Sequence, residues 1–278
     1  MGTQKTVKKE FPSVLDSAYE QYKRDLKRHK LVEEIMSKNV VTIAPEDKMA
    51  KAVSVMGEKH IGSLIVIKYE TPVGIVTERD LLSKVLLKEK SLQKETVENC
   101  MSFPLVTVCY NTKIKEAAKL MIEKKGRLAV FECGNLLGIV TAADLIKTLP
   151  QVEESEVKVD DFMSKPVITT DETNSIHDVA KTMGKQRVGS VIITRNGKPI
   201  GIFTERDLLT SFLGKEKSLD VNVGGKCSSR LVTAPAGSSI HKAAATMALK
   251  HIRRLPIVEE GEIIGIVTAR DIVEAYTR

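Results

Sequence analysis

Gly74, Gly138, Gly201 and Gly265 each open a seven-residue phrase, GIVTERD, GIVTAAD, GIFTERD and GIVTARD, at spacings of 64, 63 and 64 residues. A chain that repeats at a fixed period builds one supersecondary unit several times and buries its core between copies. This period constrains the fold more than any other property of the sequence.

The register extends upstream. Met49, Ala52, Val53 and Met56 occupy i, i+3, i+4 and i+7, and so do Ile114, Ala117, Ala118 and Met121. Ile176, Val179, Ala180 and Met183 repeat the stripe, as do Ile240, Ala243, Ala244 and Met247. Such a stripe predicts an amphipathic helix, four times over, with small alanines that allow close packing on a sheet. After each helix come two short apolar runs joined by a turn, for example SVIITR and PIGIFT around Asn196-Gly197. Asn-Gly between apolar runs is a strong hairpin signal. Further upstream, Met36-Ser37, Met101-Ser102, Met163-Ser164 and Cys227-Ser228 align, and Thr42, Thr107, Thr169 and Thr233 follow after Val or Ile. These threonines predict a short extended segment leading into each unit.

The copies are of two kinds. ERDLLSKVLLKEKSL and ERDLLTSFLGKEKSL agree at 11 of 15 positions, and repeats one and three carry Gly62-Ser63 and Gly189-Ser190 before the hairpin. Repeats two and four carry Gly126-Arg127 and Arg253-Arg254 there. The simplest history is a duplicated pair. The expected units are residues 31–92, 93–149, 157–219 and 220–278, in pairs 31–149 and 157–278. The acidic linker TLPQVEESEVK (148–158) falls between the pairs. Residues 1–30 form an extension in which Leu15, Tyr19, Tyr22 and Leu26 recur at helical spacing. The shared KEKSL reads as a solvated loop inherited through duplication, and His177 and His241, early in their helices, read as surface residues.

Composition narrows the function classes. Hydrophobic residues are 42% of the 278, enough for a sizeable core, but aromatics are 4% and Trp is absent. Stacking platforms for single-stranded nucleic acid are therefore scarce. The net charge of +7 favours anionic partners, although the 36 acidic residues are mixed among 43 basic ones. Cys100, Cys109, Cys133 and Cys227 form no CxxC pair and suit free thiols in a reducing compartment. No apolar run approaches the ~20 residues of a transmembrane helix. The expected location is cytoplasmic, without a membrane partner.

The T-x-x-D phrase supports two uses. Thr followed three residues later by Asp resembles a capping box, which contributes on the order of 1 kcal/mol. The same geometry aims a hydroxyl, helix amides and a carboxylate at one spot. A carboxylate there can accept two bonds from the cis-diol of a ribose, each contributing roughly 1.5–3 kcal/mol. A phosphate needs cations. Arg127, Arg253 and Arg254 begin hairpin strands, while Arg79, Arg206 and Arg270 immediately precede three of the aspartates. Six arginines at two repeat positions resemble an anion site.

The extended Val-Thr, the Ala-rich helix, the hairpin and the G-h-h-T-x-x-D ending together resemble the cystathionine β-synthase (CBS) domain, in all four copies across residues 31–277. Two pairs in one chain resemble the γ regulatory subunit of AMP-activated protein kinase and its archaeal relatives. The resemblance implies an α+β fold of four helix–strand–strand–helix repeats, in two tandem pairs that form a disc. It also implies adenosine ligands in clefts between paired repeats. Its ribose-binding aspartate falls on Asp80, Asp144, Asp207 and Asp271, with the preceding hydroxyl on Thr77, Thr141, Thr204 and Thr268. Thr42, Thr107, Thr169 and Thr233 would border the adenine. The phosphate role falls first on Arg253 and Arg254, then on Arg127, with Arg79, Arg206 and Arg270 nearby. The chain departs from the γ pattern in its uncharged Gly62-Ser63 and Gly189-Ser190, in Gly126, and in keeping all four aspartates.

No P-loop, HExxH or nucleophile cluster is present, and His29, His60, His177, His241 and His251 form no metal set. The leading expectation is a regulatory energy sensor that binds AMP, ADP or ATP, requires no cofactor or metal, and acts on a protein partner or as a homodimer. The alternatives are a binder of another adenosyl ligand such as S-adenosylmethionine, and a nucleic-acid-binding protein, with nucleic acid the less favoured partner.

Overall fold

The computed structural model describes residue 17, residues 31–148 and residues 157–278. The expected helix through Leu15, Tyr19, Tyr22 and Leu26, and all but the ends of the 148–158 linker, lie outside the described residues.

Each repeat opens with a short strand parallel to its next one. β1 (Thr42–Ile43) lies beside β2 (Ser63–Lys68), and β4 (Thr107–Cys109) beside β5 (Leu128–Glu132). β7 (Thr169–Asp171) lies beside β8 (Ser190–Arg195), and β10 (Ala234–Pro235) beside β11 (Arg254–Glu259). Parallel neighbours need a crossover. The striped helices Met49–Glu58, Ile114–Lys124, Ile176–Gln186 and Ile240–Leu249 supply it, and every stripe residue is buried.

An antiparallel third strand completes each sheet: β3 (Thr71–Thr77), β6 (Asn135–Val140), β9 (Lys198–Thr204) and β12 (Glu262–Thr268). The Asn196-Gly197 turn has φ of 50° and 76°, the left-handed pair that a two-residue hairpin needs. Repeat one makes the same turn with Tyr69 and Glu70, at φ 48° and 61°, without glycine. Glu70→Gly is therefore expected to raise stability by about 0.5–1 kcal/mol, read as a higher urea midpoint.

The four period-setting glycines have a common cause. Within each pair, one repeat lends its Met-Ser or Cys-Ser segment to the hairpin of the other. Ser37 bridges to Ile139, Ser102 to Ile75, Ser164 to Ile266 and Ser228 to Ile202. A Cβ on Gly74, Gly138 or Gly201 would come within 2.6 to 2.8 Å of the sulfur of Met101, Met36 or Cys227, and closer still to Met163 at Gly265. Only glycine admits that crossing.

The halves then meet through helices, repeat one against three and two against four. Leu209 enters the core of repeat one, Leu82 enters that of repeat three, and repeats two and four share a single core. The backbones of Gly57 and Gly214 touch there, and Leu87 packs on Gly184 in the related position. The result is two tandem pairs in a disc. The shared KEKSL has a structural use beyond the solvated loop expected of it. The carbonyls of its leucines, Leu92 and Leu219, accept from the amides of Ala50 and His177 at 3.0 and 3.1 Å. These are helix N-terminal donors without an intrahelical partner.

Candidate functional site

All four T-x-x-D segments turn from strand into helix, and each closes the same box. The Thr77 amide and hydroxyl donate to Asp80 Oδ2 at 2.9 and 2.6 Å. The Thr141 pair reaches Asp144 at 2.9 and 2.7 Å, Thr204 reaches Asp207 at 2.9 and 2.8 Å, and Thr268 reaches Asp271 at 2.7 and 2.8 Å. One carboxylate oxygen is thus spent on the cap. The other differs between sites. Among the described residues, Oδ1 of Asp144, Asp207 and Asp271 has no hydrogen-bond partner, and these aspartates are half-buried. Asp80 is 5% exposed, and its Oδ1 accepts from Ser102 Oγ at 2.9 Å and Lys84 Nζ at 2.8 Å. Burial pushes the Asp271 carboxyl above its ordinary range, against the opposing hydrogen bonds from Thr268.

Cavities open beside three of the boxes. One of about 390 Å³ joins Thr141 and Asp144 to Gly62-Ser63 of the paired repeat, with Arg127, Arg206 and Arg253 also on its wall. A second, about 350 Å³, holds Thr77 and Asp80 with Gly126-Arg127, Arg79 and Arg270. A third, about 240 Å³, holds Thr204 and Asp207 with Arg253 and Arg254. The odd-repeat aspartates therefore face the basic hairpin starts of their even partners, whereas Asp144 faces glycine and serine.

The arginines converge on two glutamates inside the T-x-x-D phrases of repeats one and three, Glu78 and Glu205. The Glu78 side chain is 4% exposed, and it receives Arg206 Nε at 2.6 Å and Arg253 at 3.8 Å. Glu205 receives Arg254 at 2.9 Å and Arg79 at 3.9 Å, while its Oε1 is buried without a hydrogen bond. Burial works against the charged form of Glu78, but Arg253 and Arg206 outweigh it and hold the carboxyl below its ordinary value. Burial lowers Arg253 to about 10, still charged at neutral pH, and lowers Arg127 against the pull of Glu78 and Glu205. The sixth arginine, Arg270, donates to the Ile122 carbonyl at 3.1 Å.

Gly62 and Gly189 follow from these glutamates. A Cβ on Gly62 would meet Glu78 Oε2 at 2.5 Å, and one on Gly189 would meet Glu205 Oε2 at 2.7 Å and collide with Arg254. The missing charge at these positions is room for a carboxylate. A signal was legible: Glu stands in the T-x-x-D phrase of the two repeats with Gly-Ser, and Ala142 and Ala269 stand there in the two with Arg.

Because Glu78 titrates lower in the folded chain, its stabilisation is complete above the ordinary 4.5 and is lost as pH falls through the folded value. The urea midpoint should drop on acidification below about pH 4.5, and the drop should be smaller in Glu78→Gln.

The extended-segment threonines lie apart from these cavities, and one expectation, that of His241, needs correction. Thr42, Thr107 and Thr169 are exposed, and neither they nor Thr233 line any of the three cavities. Strand alternation explains this, since Ile43, Val108 and Ala234, the next residues, turn into the core. Val40 and Val41, and Leu231 and Val232, border the cavities instead. His241 is not a surface residue: it is 5% exposed, with Tyr276 Oη 2.6 Å from its Nδ1, because the C-terminal helix Ala269–Thr277 covers it. No helix among the described residues is long and apolar enough to cross a membrane.

The CBS domain profile matches residues 32–87, 97–151, 159–214 and 222–278. An uncharacterized protein of Methanocaldococcus jannaschii is 26% identical over 271 residues, covering 86% of this chain and 96% of that one. Its crystal structure, described as that of a proposed archaeal homologue of γ-AMPK, superposes with a TM-score of 0.73 over 88% of this chain and 99% of that one, at 25% identity. A second uncharacterized protein of the same organism is 29% identical over 87% of this chain, which spans 61% of that protein's length. A conserved protein of Pyrococcus horikoshii shares the fold, with a TM-score of 0.60 at 22% identity over 88% of this chain and 99% of that one.

Proposed function

The chain belongs to the CBS domain family, and from that premise we propose that it is a regulatory protein that binds an adenine nucleotide, AMP, ADP or ATP, in the clefts of its paired repeats. The observation that carries this reading is the open Oδ1 of Asp144 and Asp207 beside cavities whose walls hold three and four guanidinium groups. A carboxylate acceptor suits a ribose diol, and clustered guanidiniums suit phosphates. Asp271 offers the same open oxygen.

The ion pairs supply a route from occupancy to shape. Glu78 binds Arg206 and Arg253 of the other half, and Glu205 binds Arg79 across the same divide. A phosphate that draws these arginines competes with the two carboxylates and loosens contacts between the halves. Ligands that differ in phosphate number then bind two arrangements of the disc unequally, which is the condition for a switch. A protein partner or a second copy would read the change.

Calorimetry and thermal shift with AMP, ADP, ATP and S-adenosylmethionine test the proposal. A nucleotide at 100 times its Kd should add about 2.7 kcal/mol of stability. Preference for S-adenosylmethionine would move the reading to a different adenosyl ligand, and silence with all four would end it.

A further inference from the structure

The position four residues after each T-x-x-D aspartate holds Lys84, Thr148, Ser211 and Ala275 in the four repeats. Only repeat one places a charge there. Lys84 Nζ lies 2.8 Å from Asp80 Oδ1, 2.8 Å from the Cys100 carbonyl and 3.0 Å from the Met101 carbonyl. Three oxygens therefore saturate the ammonium, which has three protons to donate. Ser102 Oγ adds a bond to the same Oδ1.

The backbone differs in the same place. Residues Leu81–Leu86 wind as a π-helix, closed by the Leu87 amide on the Leu82 carbonyl at 2.9 Å. In repeat three the matching residues are α-helical as far as Ser211, break at Phe212 and continue as a 3-10 turn from Leu213, with no π-helical winding. A π-helical turn is rare and occurs mostly at functional positions.

We propose that Lys84 is a resident occupant of the Asp80 cleft, standing where the diol of a ribose would donate, so that this cleft takes no nucleoside. A diol entering there would have to displace a cation from a nearly buried carboxylate and leave the Lys84 ammonium to the Cys100 and Met101 carbonyls and the Ser102 hydroxyl, 3.5 Å away. The neutral hydroxyls offered in return make weaker bonds to a carboxylate than an ammonium does. Nucleoside binding falls on the aspartates whose Oδ1 is open. The inference rests on the reading of the aspartates as ribose acceptors, and it makes the chain's sites unequal by design of one residue.

Isothermal titration calorimetry of the full chain with AMP decides it, on the wild type, Asp80→Asn, Lys84→Ser and the double variant. Lys84→Ser copies Ser211 of repeat three. Asp80→Asn is expected to keep the wild-type stoichiometry. Lys84→Ser is expected to gain one site per chain, and the double variant to lose that site again. A wild-type stoichiometry that drops by one in Asp80→Asn would overturn the proposal, and so would a folded Lys84→Ser with no added site. If Lys84→Ser does not fold, the Asp80→Asn comparison alone settles the matter. A wild type that binds no adenosine compound at all would instead overturn the ribose reading beneath it.

Discussion

Glu78→Ala is expected to cost about 3 kcal/mol in urea unfolding at pH 7, a large share of the stability of an ordinary domain. The carboxylate is nearly buried, and its removal leaves Arg206 and Arg253 facing Arg254 and Arg127 without a counter-charge. Breaking a buried pair from one side costs about 3–5 kcal/mol. The lower end applies because the side chains of Arg206 and Arg253 are 30% and 34% exposed, and water screens part of the repulsion. Moderate salt should recover some of the loss, whereas a cavity would not respond to salt. A loss below about 0.5 kcal/mol would mean that the arginines rearrange freely and that the glutamate is not their anchor.

Asp207→Ala is expected to weaken AMP binding about 100-fold, equivalent to about 3 kcal/mol, while lowering stability by only about 1 kcal/mol through loss of the helix cap. The separation of the two effects is the diagnostic. Asp207 Oδ2 serves the cap through Thr204, and Oδ1 has no hydrogen-bond partner among the described residues. Arg254→Ala should harm AMP more than adenosine, since its guanidinium lies on the wall of the same cavity and adenosine has no phosphate to meet it. If Asp207→Ala shifts the melting temperature and leaves affinity unchanged, the phrase is a cap alone.

Much of the fold was legible because its determinants are local. Helix stripes such as Ile114 to Met121 and turns such as Asn196-Gly197 act over a few residues, and the structure buries or bends them as their pattern requires. The candidate aspartates were legible for the same reason, since each box closes over three residues. The exposure of the threonines in the extended segments was not legible in the same way. Their exposure is set by which neighbour the core takes, and Ile43 and Val108 won that place.

Glu78, Glu205 and Lys84 belong to another class. Glu78 meets Arg206 across 128 residues of chain, and Lys84, on the π-helical turn, meets the Cys100 carbonyl 16 residues away. The sequence shows only traces of these meetings, the glutamate that accompanies Gly-Ser and the i,i+4 spacing of Asp80 and Lys84, and not the partners far away in the chain. By itself the sequence determined four repeats, their pairing into two kinds, and the cap that starts each final helix, because period and short-range hydrogen bonding are carried along the chain. Only the tertiary structure decided which carboxylate oxygens stay open and which charges neutralise one another. Those outcomes depend on distances between segments far apart in sequence, where electrostatics and burial act through space.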